Sequence, residues 1–251
     1  MLGLGSSISI DPLVITDYSI KFDGTGDYFD TGTALQSTMD GSFSCGGWIK
    51  PDDGVPANHE SLFGAGNTGD QDEIIVELTG RDGYLKISQR SNNDPSYLTT
   101  DIAPFPDGPT DWAHVMFTST KNSGSDTTHV IYVNGSAVAS TASGALSESN
   151  HELYTSSDNF FIGGFNNAGS VALPYSGRIA EWAVWNSALD ASTAAAVYNS
   201  GKRLDLSVNS GSYGAAPGLV LYYKFNNNTK DETGNSNGTL AANAMFDYDV
   251  P

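Results

Sequence analysis

Short segments of alternating apolar and polar residues, separated by turn residues, recur along most of this chain. The segment EIIVEL at 73–78 is followed by the turn Arg81-Asp82-Gly83 and then by YLKISQ at 84–89. Alternation with a period of two places successive side chains on opposite faces of a strand. A chain of 251 residues with 28 glycines that repeats this pattern predicts an all-β fold, a two-sheet antiparallel jelly-roll sandwich.

Two hairpins are predicted from local turn signals. The segments YSIKF (18–22) and DYFDTG (27–32) flank the short spacer Thr25-Gly26. Farther along, HVIYVNGSAV contains Asn134-Gly135, a dipeptide that favours the tight turns of hairpins. Both pairs of segments are therefore expected to form antiparallel neighbours.

One short helix is predicted late in the chain. It is expected to begin near Asp190, whose side chain can accept bonds from the first free amides, and to continue through STAAAVY to Gly201. The polar segments 90–111 and 142–158 are expected to be exposed loops. Loops carry binding residues more often than scaffold strands do.

The composition argues against several partners. A formal net charge of −18 would repel the phosphates of nucleic acid, so nucleic acid is not expected as a partner. No apolar run of 18 residues occurs and the first residues carry no basic leader, so neither a membrane span nor a secretory signal is expected. The single cysteine, Cys45, can form no intrachain disulfide and is expected to pack in the core beside Phe43 and Ile49.

Residues 1–17 are predicted to be an N-terminal attachment arm, and residues 18–251 a domain with a C-terminal strand and tail. The arm is rich in Gly and Ser, contains Pro12 and lacks sustained periodicity. Its leucines, isoleucines and valines are nevertheless too many for a solvated tail, so we expect it to order on a partner. The alternative is that the arm adds an edge strand to its own sandwich.

A series of segments resembles the laminin-G-like, concanavalin-A-like jelly-roll family. In chain order they are FDGTGDYFDTG, FSCGGWIKP, DWAHVMFTST followed by HVIYVNGSAV, FFIGGF, and GRIAEWAVWNSALDASTAAAVYNSG. The last resembles the family's Gly-x-Ile-Asp-Glu-hydrophobic strand, Asn and short helix. The tail from 218 onward resembles an Asp-x-x-Gly-Asn-x-Asn-Gly segment that accompanies such domains in bacterial and phage proteins. The resemblance implies a concanavalin A-like sandwich with one short helix.

Glu181 lies in the most specific of these segments, and a structural role is expected for it. The resemblance implies a recurring structural position, and Ala180 stands where the family has an Asp. Ile179, Trp182 and Val184 can all face one core only if the strand has a bulge near Ala180-Glu181. A glutamate at a bulge can bond the amides that the bulge leaves unpaired.

A catalytic alternative rests on EIIVE at 73–77. The same superfamily includes laminarinase-type glycoside hydrolases with a Glu-x-Asp-x-Glu strand, and Glu73 and Glu77 have that outer spacing. Ile75 stands where the third acid would be, so Glu73 and Glu77 are not expected to be an acid and nucleophile pair. We expect Ile74 and Val76 to face inward and both glutamates to face water.

A calcium site is a further expectation from the resemblance, because laminin-G-like domains often bind calcium at one rim through oxygen ligands. Asp23 and Asp27 are the preferred candidates. Two other oxygen-rich turns contain Asp70 and Asp72, and Asp231, Asn235 and Asn237. The four histidines lack the short spacing of a zinc site, and His114 is expected to be a satisfied structural imidazole.

Sugar binding would use an aromatic ring beside amide or carboxylate side chains on rim loops. The candidates are Tyr97, Phe165, Asn166, Asn167 and Tyr175. The alternative for each aromatic residue is that it anchors a loop on the sandwich.

The favoured function is a non-enzymatic virion surface protein, either a capsid decoration or a tail-associated module. Virion proteins are made in the host cytoplasm and act outside the cell after lysis, and this suits a lectin-like fold with no expected signal peptide or disulfide. Its partners would be other virion proteins and host-surface glycans, and it can also assemble as a homo-oligomer. A bacterial lectin or adhesin is the first alternative, and a glycoside hydrolase is the second.

Overall fold

The computed structural model describes residues 17–67, 72–91, 94–122, 127–144 and 156–251. Two large β-sheets pack face to face in this part of the chain. None of its helices has the length and apolar character needed to cross a membrane. The architecture confirms the predicted all-β sandwich, built here from antiparallel pairs apart from one parallel contact.

The first sheet contains eight strands. Seven of them form one continuous path, and the eighth pairs with the second half of the longest strand. The path runs β10 (Ser136–Ala137), β9 (Thr127–Val133), β8 (Ala113–Lys121), β3 (Phe43–Pro51), β15 (Ser176–Trp185), β1 (Ser19–Asp23) and β18 (Met245–Asp247), and the eighth strand is β16 (Leu219–Tyr223).

The second sheet contains ten strands. Its path runs β11 (Ser140–Ser143), β7 (Asp94–Thr100), β6 (Leu85–Ser91), β5 (Asp72–Leu78), β4 (Glu60–Asn67), β12 (Phe161–Ile162), β2 (Tyr28–Asp30) and β17 (Thr239–Ala241). Two short strands, β13 (Phe165–Asn167) and β14 (Ser170–Ala172), form a hairpin, and β13 pairs in parallel with β4.

The main core lies between the two sheets. Ile74 and Val76 of β5 are completely buried in it, together with Phe43, Cys45 and Ile49 of β3. The predicted burial of Cys45 is therefore confirmed. Because side chains alternate along a strand, Glu73, Ile75 and Glu77 face the opposite, outer side of the ten-stranded sheet.

A second apolar cluster lies on the outer face of the eight-stranded sheet. Helix α2 (Ala191–Tyr198) covers this face with Ala194 and Val197, and the chain after it adds Leu206 and Tyr213. The two outer faces of the sandwich thus have different surroundings: helix α2 and the chain after it cover part of the eight-stranded sheet, whereas β5 and β6 of the ten-stranded sheet carry ion pairs on their outer face.

The structure confirms the predicted helix. Asp190 is its N-cap and accepts a hydrogen bond from the backbone amide of Thr193 at 2.8 Å. The helix ends slightly earlier than expected, because Asn199 takes the left-handed capping conformation with φ 50°. The only other α-helical segment in the described residues is the four-residue turn α1 (Gln36–Met39).

One hairpin prediction is confirmed and the other is wrong. Asn134-Gly135 connects β9 to β10, with Ser136 opposite Val133. The Thr25-Gly26 spacer instead carries the chain from one sheet to the other, because β1 pairs with β15 and β18 while β2 pairs with β12 and β17. Turn residues determine where a chain reverses, and they do not determine which sheet the next strand joins.

The predicted loop at 90–111 is partly wrong, because it contains strand β7. The segment is polar and contains Pro95, which cannot donate a ladder hydrogen bond. The structure accommodates it because Pro95 lies opposite Arg90 near one end of the strand, beyond the part of β7 that pairs with β11. The other predicted loop, 142–158, is wrong at its start, because residues 142 and 143 belong to strand β11. Residues 145–155 lie outside the described residues.

Candidate functional site on the outer face of the ten-stranded sheet

Three neighbouring strands bring five polar or aromatic side chains to one outer surface. On β5 these are Glu73 and Glu77, which alternate with the buried core residues of that strand. Register places Arg90 of β6 opposite Glu73 and Lys86 opposite Glu77. Tyr97 of β7 lies opposite Ser88, between these two pairs. We call these five residues the β5–β7 patch.

Ion pairs connect the strands of the β5–β7 patch. Arg90 Nε lies 3.6 Å from Glu73 Oε1, and Lys86 Nζ donates to Glu77 Oε1 at 3.0 Å. His59 Nδ1 lies 3.4 Å from the other carboxylate oxygen of Glu77. Glu73 and Glu77 therefore each have a cationic partner on the next strand.

The two glutamates are buried, and the expectation that they face water is wrong. Their side chains are 8% and 4% exposed, whereas the side chains of Arg90 and Lys86 are 28% and 24% exposed. Burial raises the pKa of the Glu73 carboxyl, and the charges of Arg90 and Lys86 offset part of that effect. The carboxylates thus lie beneath the cations, and the cations form the accessible part of the patch.

Tyr97 lies between the two cations. Lys86 Nζ is 4.7 Å from the centroid of the Tyr97 ring, which is a cation–π distance. A hydrogen bond with Tyr97 raises the pKa of the Arg90 guanidinium. The half-buried ring of Tyr97 is therefore held in place by contacts on both sides, and its surroundings supply several hydrogen-bond donors.

The structure does not bring the predicted sugar-binding residues together. Tyr97 and Phe165 are on the same face, but the row Tyr97, Ser88, Ile75, Gly64 puts three strand spacings, roughly 14 Å, between Tyr97 and the glycine over which Phe165 lies. Phe165 is only 1% exposed and lies over Gly64, where a Cβ atom would be 3.1 Å from its ring. Its ring fills a space that glycine leaves open.

Asn166 and Tyr175 have structural contacts. Asn166 donates to the carbonyl of Asn159 and accepts from the amide of Gly169, both at 2.7 Å, so it fixes the turn between β13 and β14. Tyr175 is completely buried in the main core. Asn166 thus lies within β13, and Tyr175 lies in the loop before β15 with its ring buried, while Asn167 is half-buried at the end of β13. The role of these residues in sugar binding stays a prediction.

Lys86 and Arg90 were missed at the level of sequence. The signal was present in YLKISQR, where Lys86, Ser88 and Arg90 alternate with Leu85 and Ile87. That alternation assigns the two cations to one face of β6. The alternation could not identify Glu73 and Glu77 as the partners of these cations, because neither segment by itself determines the register in which the two strands pair.

The carboxylates of Asp23 and Asp27 are engaged by the backbone. Asp27 is buried and accepts from the amides of Asp23 at 3.0 Å and Asn243 at 2.7 Å. Asp23 accepts from the hydroxyl and amide of Thr25, and these bonds lower the pKa of its carboxyl. Within the described residues, no group of three or more His, Cys, Asp or Glu side chains is arranged to hold a metal ion. Calcium binding stays a prediction.

The oxygen-rich turn at Asp231 is held together by its own backbone. The Asp231 carboxylate is fully buried and accepts from the amides of Tyr222, Asn235 and Ser236 at 2.9, 2.9 and 3.0 Å. Thr233 donates both its amide and its hydroxyl to the same carboxylate. This residue therefore organises the C-terminal loop.

Glu181 lies at the predicted bulge of β15. The register between β15 and β3 shifts between Ala180 and Ala183, and Ile179, Trp182 and Val184 all enter the main core. Glu181 itself has φ 54° and is buried. In the described part of the chain its carboxylate accepts from the Arg203 guanidinium and the Tyr222 hydroxyl rather than from backbone amides, which differs from the expectation.

Two antiparallel sheets with their core between them, a short capping helix and a polar outer sheet face define the lectin-type β-sandwich class. The chain belongs to the family described as the concanavalin A-like lectin/glucanases superfamily, whose model matches residues 23–195. No curated protein sequence matches this chain.

Solved structures share the fold at low sequence identity. A Bacteroides ovatus protein assigned to carbohydrate binding has 20% identity and a TM-score of 0.61; the alignment covers 92% of this chain and 60% of that one. The CBM40 of the Ruminococcus gnavus IT-sialidase has 18% identity and a TM-score of 0.54, covering 72% and 97%. A heptameric pentraxin from Limulus polyphemus has 19% identity and a TM-score of 0.52, covering 73% and 82%. The chain thus spans about three fifths of the Bacteroides protein.

Proposed function

We propose that this domain is a non-enzymatic glycan-binding module and that its β5–β7 patch contacts the glycan. The observation that carries the proposal is the half-buried Tyr97 ring held between Lys86 and Arg90 on a sheet surface. An aromatic ring beside fixed polar groups provides both the apolar contact and the directional bonds that a sugar requires. The similarity to a carbohydrate-binding module and to a protein assigned to carbohydrate binding supports this choice.

The exposure of the charged groups favours an acidic glycan. Lys86 and Arg90 are at least three times more exposed than the carboxylates with which they pair. An approaching ligand therefore meets cations first, on a chain whose net charge is −18. A guanidinium and an ammonium on either side of an aromatic ring suit the carboxylate or sulfate of an acidic sugar.

The non-enzymatic part of the proposal rests on β5. Ile75 occupies the position between Glu73 and Glu77, and the Glu77 carboxylate is shared by Lys86 and His59. A glycosidase needs one carboxyl group that can donate a proton and a second that is free to attack or to activate water. A carboxylate that is paired with the Lys86 ammonium and lies 3.4 Å from the His59 ring is poorly suited to either role.

The setting we propose is the surface of a virion, on the capsid or the tail. The fold contains a single buried cysteine and so needs no oxidising compartment in which to form. Residues 1–17 would attach the domain to other virion proteins, which leaves the β5–β7 patch for a host glycan. A bacterial lectin or adhesin with the same patch is the alternative, and a protein inventory of purified particles distinguishes the two.

Glycan binding is tested with a panel of neutral, sialylated, uronic and sulfated oligosaccharides, followed by calorimetry on the best ligand. Tyr97→Ala and Arg90→Gln are each expected to weaken binding at least tenfold. Lys202→Gln, which removes an exposed cation on the opposite side of the sandwich, is the matched control and should bind as the wild type does. Circular dichroism confirms folding of each variant. Absence of binding to every glycan, or equal binding by Tyr97→Ala, would overturn the proposal.

A further inference from the structure

The strand β11 ends the ten-stranded sheet on the side of the β5–β7 patch. It pairs with β7 along Ser140–Ser143, and no strand in the described residues pairs with its other side. Three of its four residues are exposed. The other terminal strands of the two sheet paths, β10, β17 and β18, have two or three residues. Among the terminal strands of the two sheet paths, β11 therefore offers the longest row of main-chain donors and acceptors. The longer strand β16 pairs with β15 and is bonded by residues Asp231, Glu232 and Thr233.

The charge distribution around β11 is unusual for this chain. The stretch from Ser136 to Gly144 contains no charged residue, although the chain has 29 acidic residues and 11 basic ones. Sheet edges are commonly protected from pairing by charges, prolines or bulges, and β11 has none of these along its length. A like-charged surface would repel a second copy, and this edge does not.

We propose that two copies of this chain pair through β11 to form one continuous antiparallel sheet. In the proposed register Thr141 lies opposite Thr141 of the second copy, and Ser140 lies opposite Ala142. Small side chains allow this approach, and Thr–Thr pairs are favourable across antiparallel strands. The symmetry axis stands perpendicular to the sheet, because antiparallel pairing of identical strands keeps both outer faces on the same side.

Asp101 lies close to this interface, and its carboxylate accepts from the Thr141 hydroxyl at 2.7 Å. It follows the last residue of β7, one strand away from the edge. The two Asp101 backbones are thus three strand spacings apart across the interface, roughly 14 Å. Their carboxylates reach toward Thr141 and are closer to each other than the backbones are, so salt, with a Debye length of about 8 Å at physiological ionic strength, weakens their repulsion without removing it.

The pairing has a consequence that rests on the proposed glycan-binding function. Tyr97 lies opposite Ser143 in the register of β7 and β11. Three strand spacings across the interface and four residues along it separate the two Tyr97 rings by roughly 20 Å on the same face. The two patches of a dimer would therefore bind two sugars of the same glycan-covered surface. Linked sites bind with an avidity above that of either site alone.

The oligomeric state is measured without any glycan, so its outcome is independent of the proposed function. Light scattering is measured after size exclusion at protein concentrations from about 5 to about 200 µM. The expected mass is twice the 26.4 kDa of one chain. Thr141→Lys and Thr141→Glu should each be monomeric, because like charges would lie opposite each other. Their equimolar mixture should recover the dimer, because a Lys then lies opposite a Glu.

Thr239→Lys on β17, at the other end of the same sheet, is the matched control and should remain dimeric. Thr141 is exposed, so its variants are expected to fold, and their melting temperatures check this. A monomeric wild type across the concentration range, dimeric single variants, or a mixture that stays monomeric would each overturn the proposal.

Discussion

Glu181 combines a left-handed backbone and a buried charge at one position of β15. Its φ of 54° costs about 1 kcal/mol or more in a residue other than glycine. Burial also raises the pKa of its carboxyl, against the opposing effects of Arg203 and Tyr222. Two effects offset these costs: the bulge directs Trp182 into the core, and the Glu181 carboxylate pairs with the Arg203 guanidinium.

Replacing either Glu181 or Arg203 alone should destabilise the fold strongly, because the remaining partner is left buried and unpaired. Glu181→Gln and Arg203→Met are each expected to lower the free energy of unfolding by about 3–5 kcal/mol, because each leaves a buried charge or its partner unpaired. The double variant should lose clearly less than the sum. Urea denaturation measures all three. The exposed pair Lys230–Glu232, at 2.9 Å, is the control, and additive losses at Glu181 and Arg203 would contradict the coupling.

His114 should make stability depend on pH. It is 4% exposed, lies edge-on to the Trp48 ring, and burial lowers its pKa to about 4. Its Nδ1 atom has no hydrogen-bond partner among the described residues, so the expectation of a satisfied imidazole is wrong for that atom. Between the unfolded pKa near 6.5 and the folded pKa, only the unfolded chain takes up the proton, so stability falls as pH falls.

The predicted loss amounts to about 3 kcal/mol over that pH window, since one pKa unit corresponds to about 1.4 kcal/mol. This loss of unfolding free energy is fully present below the folded pKa of His114 and absent above about pH 7. His114→Phe keeps a ring against Trp48 and should have a shallower decline of unfolding free energy from pH 7 to 4. Denaturant titrations at several pH values compare the two slopes, and parallel slopes would assign the acid sensitivity to other groups.

The calcium prediction for Asp23 and Asp27 can be tested at the same scale. A bound ion stabilises the folded state by mass action. Melting temperatures in millimolar calcium and in chelator should differ for the wild type, and Asp23→Asn should reduce the difference. Asp205→Asn, an exposed aspartate elsewhere, is the control. Equal melting temperatures together with no metal in elemental analysis would remove the prediction.

At the scale of elements, sequence predicted where strands lie better than how they pair. The alternation in β5 and β6 and the Asp190 cap of α2 are local, and the structure confirms them. The destinations of β1 and β2 depend on contacts with β15 and β17, which are far away in sequence. The candidate site was only partly predictable for the same reason, since Tyr97 meets Lys86 through strand register.

β5 is the element on which enzyme status depends. We expect no turnover of β-glucans by the wild type or by Glu77→Gln, because Ile75 stands where the third acid would be and the Lys86 ammonium pairs with Glu77. A reducing-sugar assay over long incubation measures this, with Glu232→Gln as a matched carboxylate control. Turnover by the wild type and by Glu232→Gln, but not by Glu77→Gln, would establish a hydrolase.

At the scale of the whole molecule, the described domain closes with its C-terminal segments. β17 completes one sheet and β18 completes the other. Asp249 fastens the tail by accepting from Lys50 Nζ at 2.8 Å and Trp112 Nε1 at 2.9 Å. The family match ends at residue 195. The segment after it nevertheless packs with the rest of the domain, because its strands complete both sheets.

The attachment arm is the prediction that concerns the whole molecule. Residues 1–16 lie outside the described residues, and the first described residue, Asp17, is 3.2 Å from Arg203 Nη1. Ordering a chain costs about 1–2 kcal/mol per residue, and the apolar residues of the arm can offset that cost only against a surface. We expect that surface to belong to a partner protein of the particle. The alternative is an edge strand on the arm's own sandwich.

Deleting residues 2–16 separates these alternatives. An attachment arm predicts a truncated domain that melts within a few degrees of the full chain, because the core contacts described here begin at Ile20, but that no longer incorporates into particles. The control replaces the apolar residues of the arm by serine at constant length, which should abolish incorporation without affecting melting. Calorimetry and mass spectrometry of purified particles provide the two measurements. A truncated chain that unfolds would favour the edge strand, and one that incorporates normally would exclude the arm from attachment.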